Sequence, residues 1–318
     1  MLPPMPTPQV TVAVPVKDRR EQMLRCLDAL LAQDHPSYEI LVLDNESTDG
    51  TAEAVAARAA AAGVEVRVVV VPGTVGYVRN RAGSLARGEY LAFTDSDCIP
   101  DPGWLTAAAL ALDDDPALGA VQGRTLPQEE ILHGWAATIQ VEGFSGRYES
   151  CNLVFRREAF VASEGFDEQI GHFWEDTAAG YALRRAGWPC GYAAGALVHH
   201  DVTYPGFWWH VRRMQKHANL PPVLARYPEI RRDALVWRIF LQTRDAQFCG
   251  VLAALALGRR HRAALALALP YVHFMMIDDG RLTSEWRDPK RYPQALIYDA
   301  ARVVGLLRGG LRNGRIVL

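Results

Sequence analysis

Residues 39–53 read EILVLDNESTDGTAE, an apolar run, a polar turn and the opening of an Ala-rich segment. Residues 39–43 have the near-continuous apolar pattern of a strand buried on both faces. Residues 44–50 supply Asp, Asn, Ser and Gly, the residues that turn a chain. Residues 51–62, rich in Ala, have the composition of a helix. The same strand–turn–helix unit repeats outward. Upstream, Val10–Val16 is a β-branched run, and residues 21–33 place Met23, Leu24, Leu27, Leu30 and Leu31 at helical spacing. Downstream, residues 64–71 form a third strand, 75–87 a helix and 89–93 a fourth strand. This alternation predicts a parallel, doubly wound α/β sheet. Ligands of such sheets bind beyond the carboxyl ends of the strands, so the polar residues found there are the candidate site.

Two carboxylate groups occupy such ends. Asp44 follows EILVL, and Asp95-Ser96-Asp97 follows EYLAF. Two carboxylates one residue apart on an extended segment can reach one site. Their hard oxygen ligands suit Mg²⁺ or Mn²⁺ bridging to substrate phosphates. A lone Asp-x-Asp also occurs in plain surface turns. The glycines at 73 and 76 do not make a P-loop, because no Gly-Lys-Ser/Thr follows.

Four segments together are specific. VAVPVKDRREQMLRCLDALLAQ (12–33), EILVLDNESTDGTAE (39–53), GEYLAFTDSDCIPDPGWL (88–105) and CNLVFRREAFVASEGFDEQIGHFWEDTAAGYALRRAGW (151–188) occur in the order of a known family. Over about residues 8–205 the chain resembles an inverting family-2 glycosyltransferase of the GT-A fold, a Rossmann-like nucleotide-diphospho-sugar transferase domain. The resemblance implies that Pro15 and Val16 line the base pocket and that Asp44 contacts base or ribose. It places Arg79, in GYVRNRA, near the nucleotide, with Asp95 and Ser96 at the ribose or a metal-bound water. It makes Asp97, with Asp95, the metal ligand, and His200 a further ligand at the end of YAAGALVHH. Strand alternation lets only one of His199 and His200 point inward. Asp176 is implied as the general base that takes the acceptor hydroxyl's proton, with Glu175 beside it. Burial and neighbouring negative charge should raise the pKa of that base. The cation would offset charge developing on a departing nucleoside diphosphate.

Lys17 stands where the family commonly has an aromatic and Glu46 where it commonly has Gly, so the donor base stays open among UDP, GDP and dTDP. A sugar nucleotidyltransferase is one alternative, but it needs a Gly-bearing loop after the first strand and PVKDRREQM has no glycine. A non-catalytic sugar- or lipid-binding module on the same fold is the other.

The rest of the chain sets bounds. It has 318 residues, 49% hydrophobic and 22% charged, which excludes a disordered or fibrous protein. The net charge of −2 argues against a dedicated nucleic-acid binder. Five scattered cysteines without a Cys-x-x-Cys pair suggest reduced thiols and a cytoplasmic protein. No leader pattern or membrane-spanning run is expected. Charge is uneven: residues 1–200 carry 15 Lys and Arg against 27 Asp and Glu, residues 201–318 carry 19 against 9. The expected division is therefore a GT-A domain at 1–205 and a mainly helical region at 206–318. In the latter, residues 207–219 read as a basic, Trp-bearing amphipathic helix. Residues 248–257 and 263–277 read as an apolar helical hairpin, with Arg259, Arg260, His261 and Arg262 between. Such a tail suits the acceptor side, a homo-oligomer interface or peripheral contact with the inner face of a membrane. The acceptor hydroxyl would belong to a lipid-linked saccharide or a natural product.

Overall fold

The computed structural model describes residues 7–132, 134–277 and 292–318. The chain divides into two compact units: residues 1–128 with 138–201, and residues 129–137 with 202–318. The division falls between 201 and 202, and nine residues of the middle of the chain join the second unit.

The first unit is built on a sheet ordered β3-β2-β1-β4-β7-β6-β8-β5, eight strands among the described residues. β1 (Val10–Val16) lies between β2 (Tyr38–Asp44) and β4 (Tyr90–Thr94), and β3 (Val66–Val70) flanks β2, all parallel. Its apolar run is continuous because helices cover both faces: Met23, Leu27 and Leu30 of α1 (Arg20–Leu31) are fully buried in the same cluster as Val12 and Val14. α2 (Thr51–Ala59) and α3 (Val75–Leu85) complete the repeating units. Past β4 the expected parallel sheet becomes mixed. β7 (Asn152–Arg156) runs antiparallel to β4 and to β6 (Ala120–Pro127). Parallel neighbours are usually joined by a crossover helix; among the described residues between β6 and β7 none forms, and the chain returns antiparallel. β8 (Cys190–His200) pairs parallel with β6 and antiparallel with β5 (Cys98–Pro100). α4 (Trp104–Asp114), α5 (Arg157–Ala162) and α6 (Glu175–Arg185) complete this unit.

The second unit is helical. α7 (Phe207–Met214) does not run on to residue 219: a 3₁₀ turn, Gln215–Asn219, leads into α8 (Leu220–Arg226), whose Pro221 and Pro222 donate no backbone N–H and reset the register. α9 (Ile230–Ala234) and α10 (Thr243–Leu257) follow. The apolar run 263–277 is likewise a 3₁₀ helix, Arg262–Ala268, and then α11 (Leu269–Ile277), with Pro270 in the first turn, where its missing donor is harmless. α12 (Tyr292–Arg312) closes the unit. No helix among the described residues is long and apolar enough to cross a membrane. Inside this unit Asp299 accepts from Arg244 at 2.8 Å, Tyr271 at 2.5 Å and Arg302 at 3.0 Å, and Asp245 accepts from Arg302 at 2.6 Å.

Candidate active site

β1, β2 and β4 end on one edge of the sheet, and their following turns carry the candidate residues. Asp44 closes β2 and is buried. Its Oδ2 accepts the Ser47 N–H at 3.1 Å, while Oδ1 is buried with no partner. Glu46 adopts φ +55°, the left-handed conformation that explains why the resembling family prefers Gly there. Lys17 Nζ donates to the Asn45 carbonyl at 3.0 Å. Val16 is buried at the end of β1 and its carbonyl accepts the Asn45 N–H at 2.8 Å, with Pro15 beside it, so these turns are tied together.

Asp95-Ser96-Asp97 is a turn between β4 and β5, not an extended segment. Its two carboxylates therefore diverge. Asp95 Oδ1 meets Arg79 Nη2 at 3.3 Å, whereas Asp97 pairs with Arg19 through Oδ2. Ser96 between them is buried.

The β5–β8 pairing sets Cys98 opposite His200 and so brings Asp97 to the histidine. Asp97 Oδ1, buried without a hydrogen-bond partner, lies 3.8 Å from His200 Nε2. His200 Nδ1 is 2.8 Å from the Asp201 carbonyl, which can only accept, so Nδ1 carries the proton and Nε2 faces Asp97. His199 turns away, to Asp101 at 3.2 Å. An oxygen and a nitrogen acceptor facing each other leave a place that a proton or a cation fills. Asp97, Cys98 and His200 place ligand atoms within 4.8 Å of one another, and Asp95 is outside this group. Burial keeps the Cys98 thiol pKa well above its ordinary value, so the donors here are the hard Asp97 carboxylate and the borderline His200 imidazole.

A second cluster centres on Arg79 of α3, whose side chain is buried. Its Nη1 meets Glu175 Oε1 at 3.2 Å and Asp176 Oδ1 at 3.3 Å, in addition to Asp95. Burial opposes its charge, but Asp176, Asp95 and Glu175 outweigh that and raise its pKa. Glu175 and Asp176 open α6, after Phe173 and Trp174, two successive non-glycine residues at φ +100° and +76°. That left-handed pair folds the chain so that Glu175 Oε2 accepts the Phe173 N–H at 2.6 Å, at a strain of about 1–3 kcal/mol per residue. The two adjacent carboxyls then part company. Glu175 is buried, which would raise its pKa, but His172 and Arg79 hold it well below the usual carboxylate range. Asp176 is pushed up to about 7, by burial first and by Glu175 and Asp95, against the pull of Arg79. About a quarter of its side chain stays exposed, at 26%. Its Oδ2 accepts the Ser150 N–H at 3.2 Å. One turn along α6, Gly180 lies flat on Tyr148: a Cβ there would come within 2.1 Å of the ring.

A model of the family described as glycosyl transferase family 2 matches residues 11–171. The chain belongs to glycosyltransferase family 2. The O-antigen biosynthesis protein RfbC of Myxococcus xanthus is 27% identical over 227 residues, 61% of this chain and 17% of that protein. Glycosyltransferase AglE of Haloferax volcanii is 36% identical over 102 residues, 31% of this chain and 33% of its own length. The matches thus span only about a sixth and a third of these relatives. Among solved structures, the mannosyltransferase PcManGT from Pyrobaculum calidifontis, in complex with GDP-Man and Mn²⁺, superimposes with a TM-score of 0.62 at 22% identity, covering 95% of this chain and 88% of that one. S. aureus TarS residues 1–349, in complex with UDP-GlcNAc, gives 0.50 at 17% identity, over 96% and 92%. These likenesses show the GT-A fold.

In this family-2 glycosyltransferase the structure gathers Asp95, Arg79, Glu175 and Asp176 into one cluster and Asp97 with His200 into another. Sequence reading missed Arg19, His172 and Ser150. Arg19 had a signal, being one of three cations in the four residues that follow the carboxyl end of β1. Ser150 had none, because it acts through its backbone N–H.

Proposed function

We propose that the chain is an inverting, metal-assisted glycosyltransferase that moves a sugar from a nucleoside-diphosphate donor to an acceptor hydroxyl. The observation that carries this reading is the pair of adjacent acids at the start of α6: Glu175 is buried and tied to Arg79, His172 and the Phe173 N–H, while Asp176 is partly exposed and held by the Ser150 N–H. Two adjacent acids pushed to opposite sides of the ordinary range divide the labour, one a fixed charge and one a proton carrier.

Asp176, ionised and partly exposed, accepts the acceptor hydroxyl's proton as that oxygen attacks the anomeric carbon. The bond from that carbon to the diphosphate oxygen breaks, its electron pair leaves with the nucleoside diphosphate, and the configuration inverts. Arg79 holds Asp176 and Asp95 in place, and the Ser150 N–H aims Asp176 from the other side. Asp44, with its unpartnered Oδ1, takes the nucleoside, beside Pro15, Val16 and Ser96. The donor set at Asp97 Oδ1 and His200 Nε2, with Asp95 nearby in sequence, fits Mn²⁺ or Mg²⁺, and Arg19 neutralises Asp97 otherwise. When bound, that ion offsets negative charge on the departing diphosphate. The neighbours' GDP-Man and UDP-GlcNAc support a GDP- or UDP-linked donor over a dTDP-linked one. The O-antigen biosynthesis in RfbC's name supports a saccharide as acceptor, here read as a lipid-linked one.

The test is Asp176→Asn. Donor-induced thermal stabilisation should persist while release of nucleoside diphosphate to acceptor falls about 10²–10⁴-fold. Near-wild-type transfer would remove Asp176 as the base, and loss of donor binding would make its role structural.

A further inference from the structure

α10, the 3₁₀ segment Arg262–Ala268 and α11 form a hairpin whose inner and outer sides differ in kind. The inner side is fastened to the helical unit. Tyr271 is buried against Phe248 with ring centroids 5.7 Å apart, and its hydroxyl donates to Asp299 at 2.5 Å. The outer side is apolar and uncovered. Leu255, Leu257, Leu265, Leu269, Val272 and Met276 are each between 45% and 69% exposed. Leu269, Val272 and Met276 share one face of α11 by their i, i+3, i+7 spacing, opposite Tyr271. Exposed apolar side chains gathered on one hairpin in this way mark an interaction site.

The charge says which partner. Residues 246–277 contain no Asp or Glu, and their Arg residues, Arg259, Arg260 and Arg262, are exposed together with His261 at the hairpin tip. A second copy meeting this face with its two-fold axis at the hairpin tip would bring two such cationic tips together, with no acid within residues 246–277 to neutralise them. Leucines flanked by arginines instead match an acyl layer bordered by anionic headgroups. At 15 and 9 residues the two helices are too short to cross a hydrocarbon core about 30 Å thick, so they suit its surface.

We propose that this hairpin seats the chain on the surface of an anionic phospholipid bilayer. The inference does not depend on the glycosyl-transfer reading, because binding is read without donor or acceptor. The full chain is sedimented with phosphatidylcholine vesicles, with and without phosphatidylglycerol. The expected result is pelleting with the anionic vesicles that weakens as salt is raised. The Arg259→Gln/Arg260→Gln/Arg262→Gln variant should lose vesicle affinity by roughly two orders of magnitude, on the scale of about fivefold per headgroup-facing cation. Leu269→Ser/Met276→Ser should weaken binding at high salt as well, without altering the thermal transition, since neither side chain is buried in the unit. Three results would each overturn the proposal. The wild type could stay in the supernatant with anionic vesicles, the triple variant could bind as the wild type does, or sedimentation could show self-association that the leucine variant abolishes, making a second copy the occupant.

Discussion

The buried charges around Asp299 in the helical unit and those of the candidate site in the sheet unit are arranged in opposite ways. In the helical unit Asp245 and Asp299 are wholly enclosed, and the Asp299 oxygens meet Arg244, Tyr271 and Arg302 while Asp245 meets Arg302. In the sheet unit Asp44 Oδ1 and Asp97 Oδ1 are buried without a hydrogen-bond partner, and one guanidinium, Arg79, serves three carboxyls. A closed cluster of this sort is a fastening, since removing one member leaves the others charged in a dry place. An open cluster is unfinished as protein and is completed by what binds there. The contrast separates a site from a structural knot without appeal to any relative.

The largest effect should follow from breaking the closed cluster. Asp299→Ala leaves Arg302 and Arg244 short of a counter-charge and should cost about 3–5 kcal/mol in denaturant unfolding. A loss below ~1 kcal/mol would erase the contrast. The converse holds at Asp44. Asp44→Ala should weaken nucleotide binding by about 1.5–3 kcal/mol in calorimetric titration, the worth of a hydrogen bond to a charged group, with a smaller change in unfolding midpoint.

The pH dependence sharpens the difference further. Asp176 must be ionised to act, so turnover should rise about tenfold per pH unit below about 7 and level off above it. Stability should move the other way. The folded chain holds this proton more tightly than the unfolded chain, whose Asp titrates near its ordinary 3.8, so folding loses free energy as pH climbs from about 4 to about 7. Asp176→Asn should therefore melt higher than wild type at pH 8, with the margin shrinking as pH falls. An equal margin at pH 4 and pH 8 would refute the raised pKa. The smallest effect belongs to Arg19, whose side chain is 45% exposed. Arg19→Ala should tighten Mn²⁺ binding to donor-free protein by at most about fivefold, the scale of a solvent-screened ion pair. Electron paramagnetic resonance of free Mn²⁺ reads this directly, and unchanged affinity would mean that Arg19 does not compete for Asp97.

Much of this was legible in the sequence where local pattern and tertiary role coincide. Val10–Val16 and Thr51–Ala59 read correctly because a doubly covered strand and an Ala-rich helix advertise themselves. The mixed half of the sheet was not legible, because whether β7 runs up or down depends on how residues 128–151 travel and not on its own five residues. The 3₁₀ segments were missed because apolar periodicity is nearly the same at three residues per turn as at 3.6 over so short a span. In the site, motif position singled out Asp44, Asp97 and Asp176. It could not reveal that Asp95 turns toward Arg79, because that follows from a turn's dihedrals. Sequence reading expected a raised pKa at Asp176 but could not show that the adjacent Glu175 is held low, because that follows from which acid His172 reaches.

Gly180 has no side chain and stands a full helical turn from Asp176, yet it fixes how closely α6 can approach Tyr148. Any replacement lifts that helix off the aromatic ring and carries the carboxyl with it. In a library of random variants screened for transfer, position 180 should thus tolerate as little change as the acid itself. The map of forbidden substitutions would extend beyond the residues that touch substrate, along the line on which the helix rests.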